Sequence, residues 1–300
     1  MRVISPVELT DAMVTSNIAE PDTGETAWNA ATNYTVGQVA ARFSLHRLYT
    51  RKVAGVSATP PEDDPVNWDE DYLPTNKWAM FDQIINTKSR RASPLTVTLA
   101  PGFANSLALL ELEGDQVEIT GTDGAGGPVV YSRVIDLDTS VVTDLYEYFF
   151  EPFTQLTTII LTDLPPYNDI RLTVTVTSSG MVGCGQCIPG SVYSLGGTQR
   201  GVTTGVRSFS KKKENLDTGI TRLKKGVSRR SMRARLEVTP GAETAIHQLL
   251  NKLLDTACVW LGDDTGDIEP LVVYGFSEDF ELEVQGKASN YYSLSIQGMA

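Results

Sequence analysis

The chain has little cysteine and less histidine, three of the first and two of the second in 300 residues. So few thiols, in odd number, exclude a disulfide framework. Cys184-Gly-Gln-Cys187 has the spacing of a metal knuckle or a redox pair. Zinc needs two further ligands, and Cys258, His46 and His247 lie scattered, with no second paired spacing. Neither a metal nor another cofactor is expected, and small buried residues in a glycine-rich strand are the plainer reading of the pair. Two distant histidines make no triad, and the chain has no Gly-x-Ser-x-Gly elbow, phosphate loop or paired metal-ligand motif. A protein without catalytic activity is expected. No apolar run approaches the length that spans a bilayer, and Met1 to Val7 lack the apolar stretch and cleavage site of a secretion signal. Folding in a cytoplasm, with no membrane span, follows as an expectation. Positive charge is also scarce: 25 Lys and Arg face 37 Asp and Glu, and a net charge of −12 disfavours general nucleic-acid binding.

What the chain does hold is 41% hydrophobic and 21% charged residues, the proportions of a globular protein. Its length suggests two or three domains, and the strand-like patterning makes the expected class mainly β. Residues 1–25 read as an N-terminal arm, with a short helix capped at Thr10. Residues 26–73 read as a small three-stranded aromatic module. Tyr34 to Val39 forms a strand broken by Gly37, Arg47 to Val53 a second strand, and the run from Pro60 to Pro65 closes a loop before Trp68. Two such strands bury no core alone, so Trp28, Tyr34, Tyr49 and Trp68 carry most of the apolar area, as module core or as a glycan-binding platform.

The order Trp28, Tyr34-x-x-Gly37-x-x, an aromatic strand and an Asp/Pro-rich loop ending in Trp68 is similar to the chitin-binding-like modules appended to secreted glycosidases. Followed by Pro74-Thr-Asn-Lys-Trp-Ala-Met-Phe-Asp82, it resembles a family of tailed-bacteriophage virion proteins, often labelled carbohydrate-binding or tail proteins. The stretches Leu195 to Val202, Ser208 to Lys213, Cys258 to Gly262 and Val273 to Phe276 fit the same resemblance, which spans most of the chain. It implies a virion location in the tail, reached by assembly in the host cytoplasm, with other tail proteins as partners. One departure stands out. Such modules present adjacent exposed aromatics after the second strand, where this chain has Lys52, Val53 and Ala54.

From residue 74 to 180 the pattern is β throughout: Leu95 to Leu99, Ser106 to Leu112, Gln116 to Thr120, Val129 to Ile135, Thr157 to Leu161 and Ile170 to Val176. Short strands separated by turn residues predict a jelly-roll sandwich, which resembles the galactose-binding-like kind. Gly180 to Gly201 reads as an ordered joint. Residues 181–300 are expected to form an α+β domain, a possible oligomerisation unit, with Lys211 to Asn215 as a charged turn. Its one helix runs from Pro240 to Leu254 and puts Ile246, Leu249, Leu250, Leu253 and Leu254 on one face.

Acidic clusters admit a calcium site at Asp263, Asp264 and Asp267, or glycosidase carboxylates, though solvated loops are the default. Charge segregation is the stronger signal. Lys211, Lys212, Lys213, Arg222, Lys224, Lys225, Arg229, Arg230, Arg233 and Arg235 face only Glu214 and Asp217 within their stretch, so the rest of the chain is more acidic than the whole. Opposite charges on separate surfaces favour head-to-tail contacts between copies, which close into rings. The expected function is a non-enzymatic structural component of a phage tail, in the tube, tip or collar. The alternative is an adsorption module for host-surface polysaccharide. Nucleic acid enters as a partner only if the basic segment lines a channel.

Overall fold

The computed structural model describes residues 1–139, 155–214, 221–263, 268–284 and 290–299. The fold is mainly β and antiparallel. Its spine is a ten-stranded curled sheet. From one edge, the order is Thr158–Leu161, Ser106–Leu110, Gln186–Ser194, Arg2–Pro6, Cys258–Leu261, Val272–Val284, Asn290–Gly298 and Ser228–Val238, with Gly197–Thr198 and Thr203–Ser208 both paired to the last. A five-stranded sheet, in the order Val129–Asp136, Gln116–Asp123, Ile170–Thr177, Leu95–Gly102 and Val14–Ser16, lies over the first end and makes that part sandwich-like.

Side-chain alternation explains the layering. In Leu95–Gly102 and Ile170–Thr177 every second residue is buried, so Leu95, Val97, Leu99, Leu172, Val174 and Val176 face inward while the threonines between them face out. Ser106–Leu110 is buried at every position. Both of its faces are covered: Leu107 and Leu109 join the core between the two sheets, while Ala108 and Leu110 pack on the opposite side with Ile4, Ile188, Val259, Leu261 and Tyr274. A continuous apolar run marks a strand with no solvent face.

The first residues of the expected N-terminal arm lie at the centre of the spine. Arg2–Pro6 pairs on one side with Gln186–Ser194 and on the other with Cys258–Leu261. Val3 and Ile4 point to opposite faces and enter different cores, because the side-chain period of a strand is two. The helix expected after Thr10 is a single 3-10 turn, Asp11–Met13, with no side-chain cap bond from Thr10. Val14–Ser16 then joins the five-stranded sheet with Val14 opposite Leu99, so tertiary pairing overrides a weak local helical tendency. Gly180 to Gly201 likewise holds three strands, Met181–Cys184, Gln186–Ser194 and Gly197–Thr198, instead of a joint. Glycine is needed at residue 190 because a Cβ there would sit 2.4 Å from the Ser5 carbonyl oxygen.

The other half of the spine is covered by one helix, Glu243–Leu253. It lays Ile246, Leu250 and Leu253 onto Met232, Leu236, Val238, Trp260, Tyr292 and Leu294. Trp260 Nε1 donates to the Gly275 carbonyl at 2.9 Å, so this large buried ring leaves no polar atom unmet. Leu249 and Leu254 are half-buried, and His247 stands exposed, its ring centre 5.3 Å from that of Phe280 in an edge-to-face contact.

Candidate functional site

Between the central strand and the sandwich, residues 26–73 form a module with a core of their own. Val39–Arg42, Arg47–Thr50 and Leu73–Pro74 make a three-stranded sheet, and Asn33–Tyr34 pairs with Gly55–Val56. Tyr34, Tyr49 and Trp68 are buried together with Ala40, and Trp28 packs half-buried against them. Tyr34 meets Trp68 edge to face at 5.0 Å, and its hydroxyl accepts from the Asn29 amide at 2.7 Å. The buried Arg51 guanidinium lies 4.8 Å from the centre of the Trp68 ring and donates to the Gly55 carbonyl at 3.2 Å. Arg42 lies over Trp28 and is itself paired with Glu62 at 2.7 Å. The rings that the sequence singles out are therefore packing partners, and the three buried ones offer no face to a sugar.

Asp64 organises the loop before Trp68. It accepts from Asn67 Nδ2 at 2.8 Å and Ser57 Oγ at 2.8 Å. The Asn67 contact, with help from Ser57 and the Arg51 charge, lowers its carboxyl below the usual range against the opposing effect of desolvation. Sequence reasoning missed the seam between module and body. Glu20 Oε1 accepts from Thr75 Oγ1 at 2.7 Å and meets His46 Nδ1 at 2.9 Å; Glu20 Oε2 accepts from Trp78 Nε1 at 3.2 Å. The other ring nitrogen of His46 lies 3.0 Å from Asp11, and the ring stacks on Trp78 at 4.3 Å. Nothing local marks Glu20 as the partner, because 26 residues separate it from His46.

The two thiols of the paired motif, Cys184 and Cys187, both point into the sandwich core. Burial pushes the Cys184 thiol up to about 12 and holds Cys187 well above the usual thiol range, and Cys258 in the helix-covered core also rises to about 12. Such thiols are poor ligands and poor nucleophiles. Among the described residues, no group of three or more His, Cys, Asp or Glu side chains is placed to hold a metal ion. Of the candidate calcium residues, Asp264 and Asp267 lie outside the described residues. A cavity of about 610 Å³ beside the end of the central strand is lined by Asp82, Gln186, Asp255 and Tyr274. Burial raises the Asp82 carboxyl, but the side chain is occupied in holding a turn: it accepts from Gln186 Nε2 and Thr87 Oγ1, each at 2.8 Å, and from the Ile84 amide at 3.0 Å.

The basic residues gather on one hairpin. Thr203–Ser208 pairs with the first part of Ser228–Val238; after a kink, Lys211–Glu214 pairs with Thr221–Lys224. The expected charged turn at Lys211 is thus a strand for its described residues, with Asn215 and Asp217 outside them. Lys211 lies opposite Lys224 and Lys213 opposite Arg222. The period of two puts all four cations on one face, where like charges directly opposed destabilise the pairing. The other face carries Lys212, 3.6 Å from Glu214, and Leu223, which is 71% exposed. Nearer the body, Arg207 and Arg229 flank Phe209 at 5.5 and 5.2 Å. At the root, Arg230 pairs with Glu269 at 3.1 Å and Arg235 with Glu283 at 2.6 Å. Arg233 and Arg235 line a groove with Glu278, Asp279 and Glu281 on the sheet face away from the helix. Lys225 sits exposed at the kink.

No helix among the described residues is long and apolar enough to cross a membrane. Comparison with family models, with curated proteins and with solved structures finds no match for the chain.

Proposed function

We propose that the chain is a non-enzymatic structural subunit of a tailed-phage virion, working in the tail tube, tip or collar as a ring-forming homo-oligomer. The phage assignment rests on the resemblance carried by Trp28 through Asp82 and by the later stretches that fit it. The assembly reading rests on the hairpin. Thr203–Ser208, Lys211–Glu214 and Thr221–Lys224 are exposed along their length, the tip sets four cations on one face, and Val206, Phe209, Leu223 and Val227 lie open to water. A two-stranded hairpin is at best marginal in water, and this one adds opposed like charges. A partner surface of negative charge removes both defects. Contacts of this kind join two different patches, so they run head to tail and close into rings when the rotation allows. We read the sandwich as the jelly roll that the strand spacing predicts; the chain crossing to the ten-stranded sheet for Ser106–Leu110 and again for Thr158–Leu161, and returning to the five-stranded sheet each time, supports this. Assembly in the host cytoplasm and a final place in the tail belong to the same reading.

Sedimentation of the full chain at low and high salt tests the assembly reading. Oligomers are expected at low salt and weaken as the Debye length shrinks below about 8 Å. The double change Lys211→Glu with Lys213→Glu is expected to leave a folded monomer. A wild-type chain that stays monomeric at every salt and concentration would overturn the reading.

A further inference from the structure

Two surfaces of this chain lie open to water and carry complementary chemistry. One is the hairpin: Lys211, Lys213, Arg222 and Lys224 on one face of its tip, Leu223 on the other, and Val206 nearer the root. The second is on the aromatic module. Backbone bonds bring three of its turns side by side: the Gly37 amide donates to the Arg51 carbonyl at 2.8 Å, and the Lys52 and Val53 amides donate to the Asn67 carbonyl at 2.8 and 3.4 Å. These turns present Val36, Val53 and Val66, all exposed, and Val56 on an adjoining strand is exposed as well. Val66 reaches 76%. The loop that carries Val66 also carries Asp63 before it and Asp69, Glu70 and Asp71 after it; Asp63, Glu70 and Asp71 are exposed, and Asp69, 4.0 Å from Lys52, is partly so. Single exposed valines call for no explanation, whereas a cluster rimmed by charge marks an interaction site.

We propose that the basic hairpin of one copy docks on the valine-and-acid face of the module of a second copy. This rests on the assembly reading above and names the surface that receives the hairpin. Within one chain the two surfaces are both exposed, so neither covers the other. Their chemistry matches in two respects. Entering edge-on, the tip turns one face, with Leu223, to Val36, Val53 and Val66, and the opposite face, with its four aligned cations, to the four carboxylates. Exposed ion pairs alone contribute little, so the apolar centre supplies affinity while the charged rim sets orientation and partner choice. Because donor and receiver are different patches, each bound copy leaves one of each free, and the contact propagates.

Sedimentation velocity on four full-length proteins tests this. They are the wild type, a hairpin variant with Lys211, Lys213, Arg222 and Lys224 changed to Glu, a module variant with Asp63, Asp69, Glu70 and Asp71 changed to Lys, and the two sets combined. Each variant set alone is expected to weaken assembly at least tenfold, and the combination to restore it. Loss of assembly in the hairpin variant but not in the module variant, or no recovery in the combination, would overturn this contact and leave the assembly reading standing. Unchanged assembly in the hairpin variant sinks both. A wild type that stays monomeric yet sediments with duplex DNA would also sink both and give the hairpin to nucleic acid. Should charge reversal unfold the module, an oxidative cross-link decides. Val66→Cys protein mixed with Leu223→Cys protein is expected to give a covalent dimer across the mixture, free of interference from the buried native thiols. A dimer formed instead by Leu223→Cys protein alone sets hairpin against hairpin and overturns the proposal.

Discussion

The aromatic module and the basic hairpin are both built from short strands with few apolar residues, and they end in opposite states. The module turns Tyr34, Tyr49 and Trp68 inward, lays Arg51 against the Trp68 ring and ties its loop with Asp64. Beyond Met232 at its root, the hairpin turns no apolar side chain inward among the described residues. Its valines, Leu223 and Phe209 stay in water, and its cations oppose one another across the strand pair. What separates them is the third layer. Ring bulk and a closing loop give the module something to pack against, whereas the two tip strands, with five cations and one leucine, pair with no third strand among the described residues. The module is stabilised by itself; the hairpin, on the proposal above, is completed by a second copy.

Four measurements break or sharpen that contrast. The largest effect is expected at the module core: Trp68→Ala should cost about 3–5 kcal/mol, as large ring truncations do. Calorimetry should then show the module transition lost while the ten-stranded sheet still melts cooperatively. If Trp68→Ala leaves every transition in place, the ring is no core. A middle effect belongs to the seam. His46→Ala removes the contacts to Glu20 and Asp11 and the stack on Trp78, at about 1–3 kcal/mol for a lost bond to a carboxylate that Thr75 and Trp78 still hold. Limited proteolysis between module and body should speed up accordingly, and an unchanged rate would mean that Thr75 and Trp78 hold the module without it.

Smaller still is the change at the hairpin. Leu223→Ser should move the stability of the monomer by no more than about 0.5 kcal/mol, the range of surface substitutions. A larger loss in denaturant melts would show that the hairpin packs on its own chain. The least effect is pH dependence. Asp64 is held below its ordinary range when folded, so its contribution is complete above the unfolded carboxyl range and is lost as pH falls through the folded value. Asp64→Asn should flatten that acid-side decline in the module transition. Asp82 acts in the opposite sense, because burial raises its carboxyl and protonation there favours the folded state. A melt of the Asn variant as acid-sensitive as wild type would remove Asp64 from the account.

The strands of the sandwich were legible because period-two alternation survives in Leu95 to Leu99 and Ile170 to Val176 whatever packs against them. The helix was legible for the same reason, with Ile246, Leu250 and Leu253 at helical spacing. The basic segment could be read as charge, since a run of Lys and Arg has no buried destination. Its division into two strand pairs about a kink could not, because Lys-rich strands carry no apolar period. The seam at Glu20 and His46 was illegible for another reason: both residues are ordinary in their local surroundings, and only the docked module brings them together.

Composition and pattern by themselves determined that this chain is mainly β, which rings carry the module's apolar area, where the helix lies and where positive charge collects. Those are properties of neighbours in sequence, and local sterics and side-chain period settle them. Tertiary structure alone decided that Arg2–Pro6 stands at the centre of the spine, that Gln186–Ser194 links the sandwich to the helix-covered half, and that Gly190 admits the Ser5 backbone. A strand's place in a sheet depends on which edge it meets. Edges separated by more than a hundred residues leave no trace in the local order of side chains, since every apolar strand is complementary to every other until backbone hydrogen bonds and core volume choose among them.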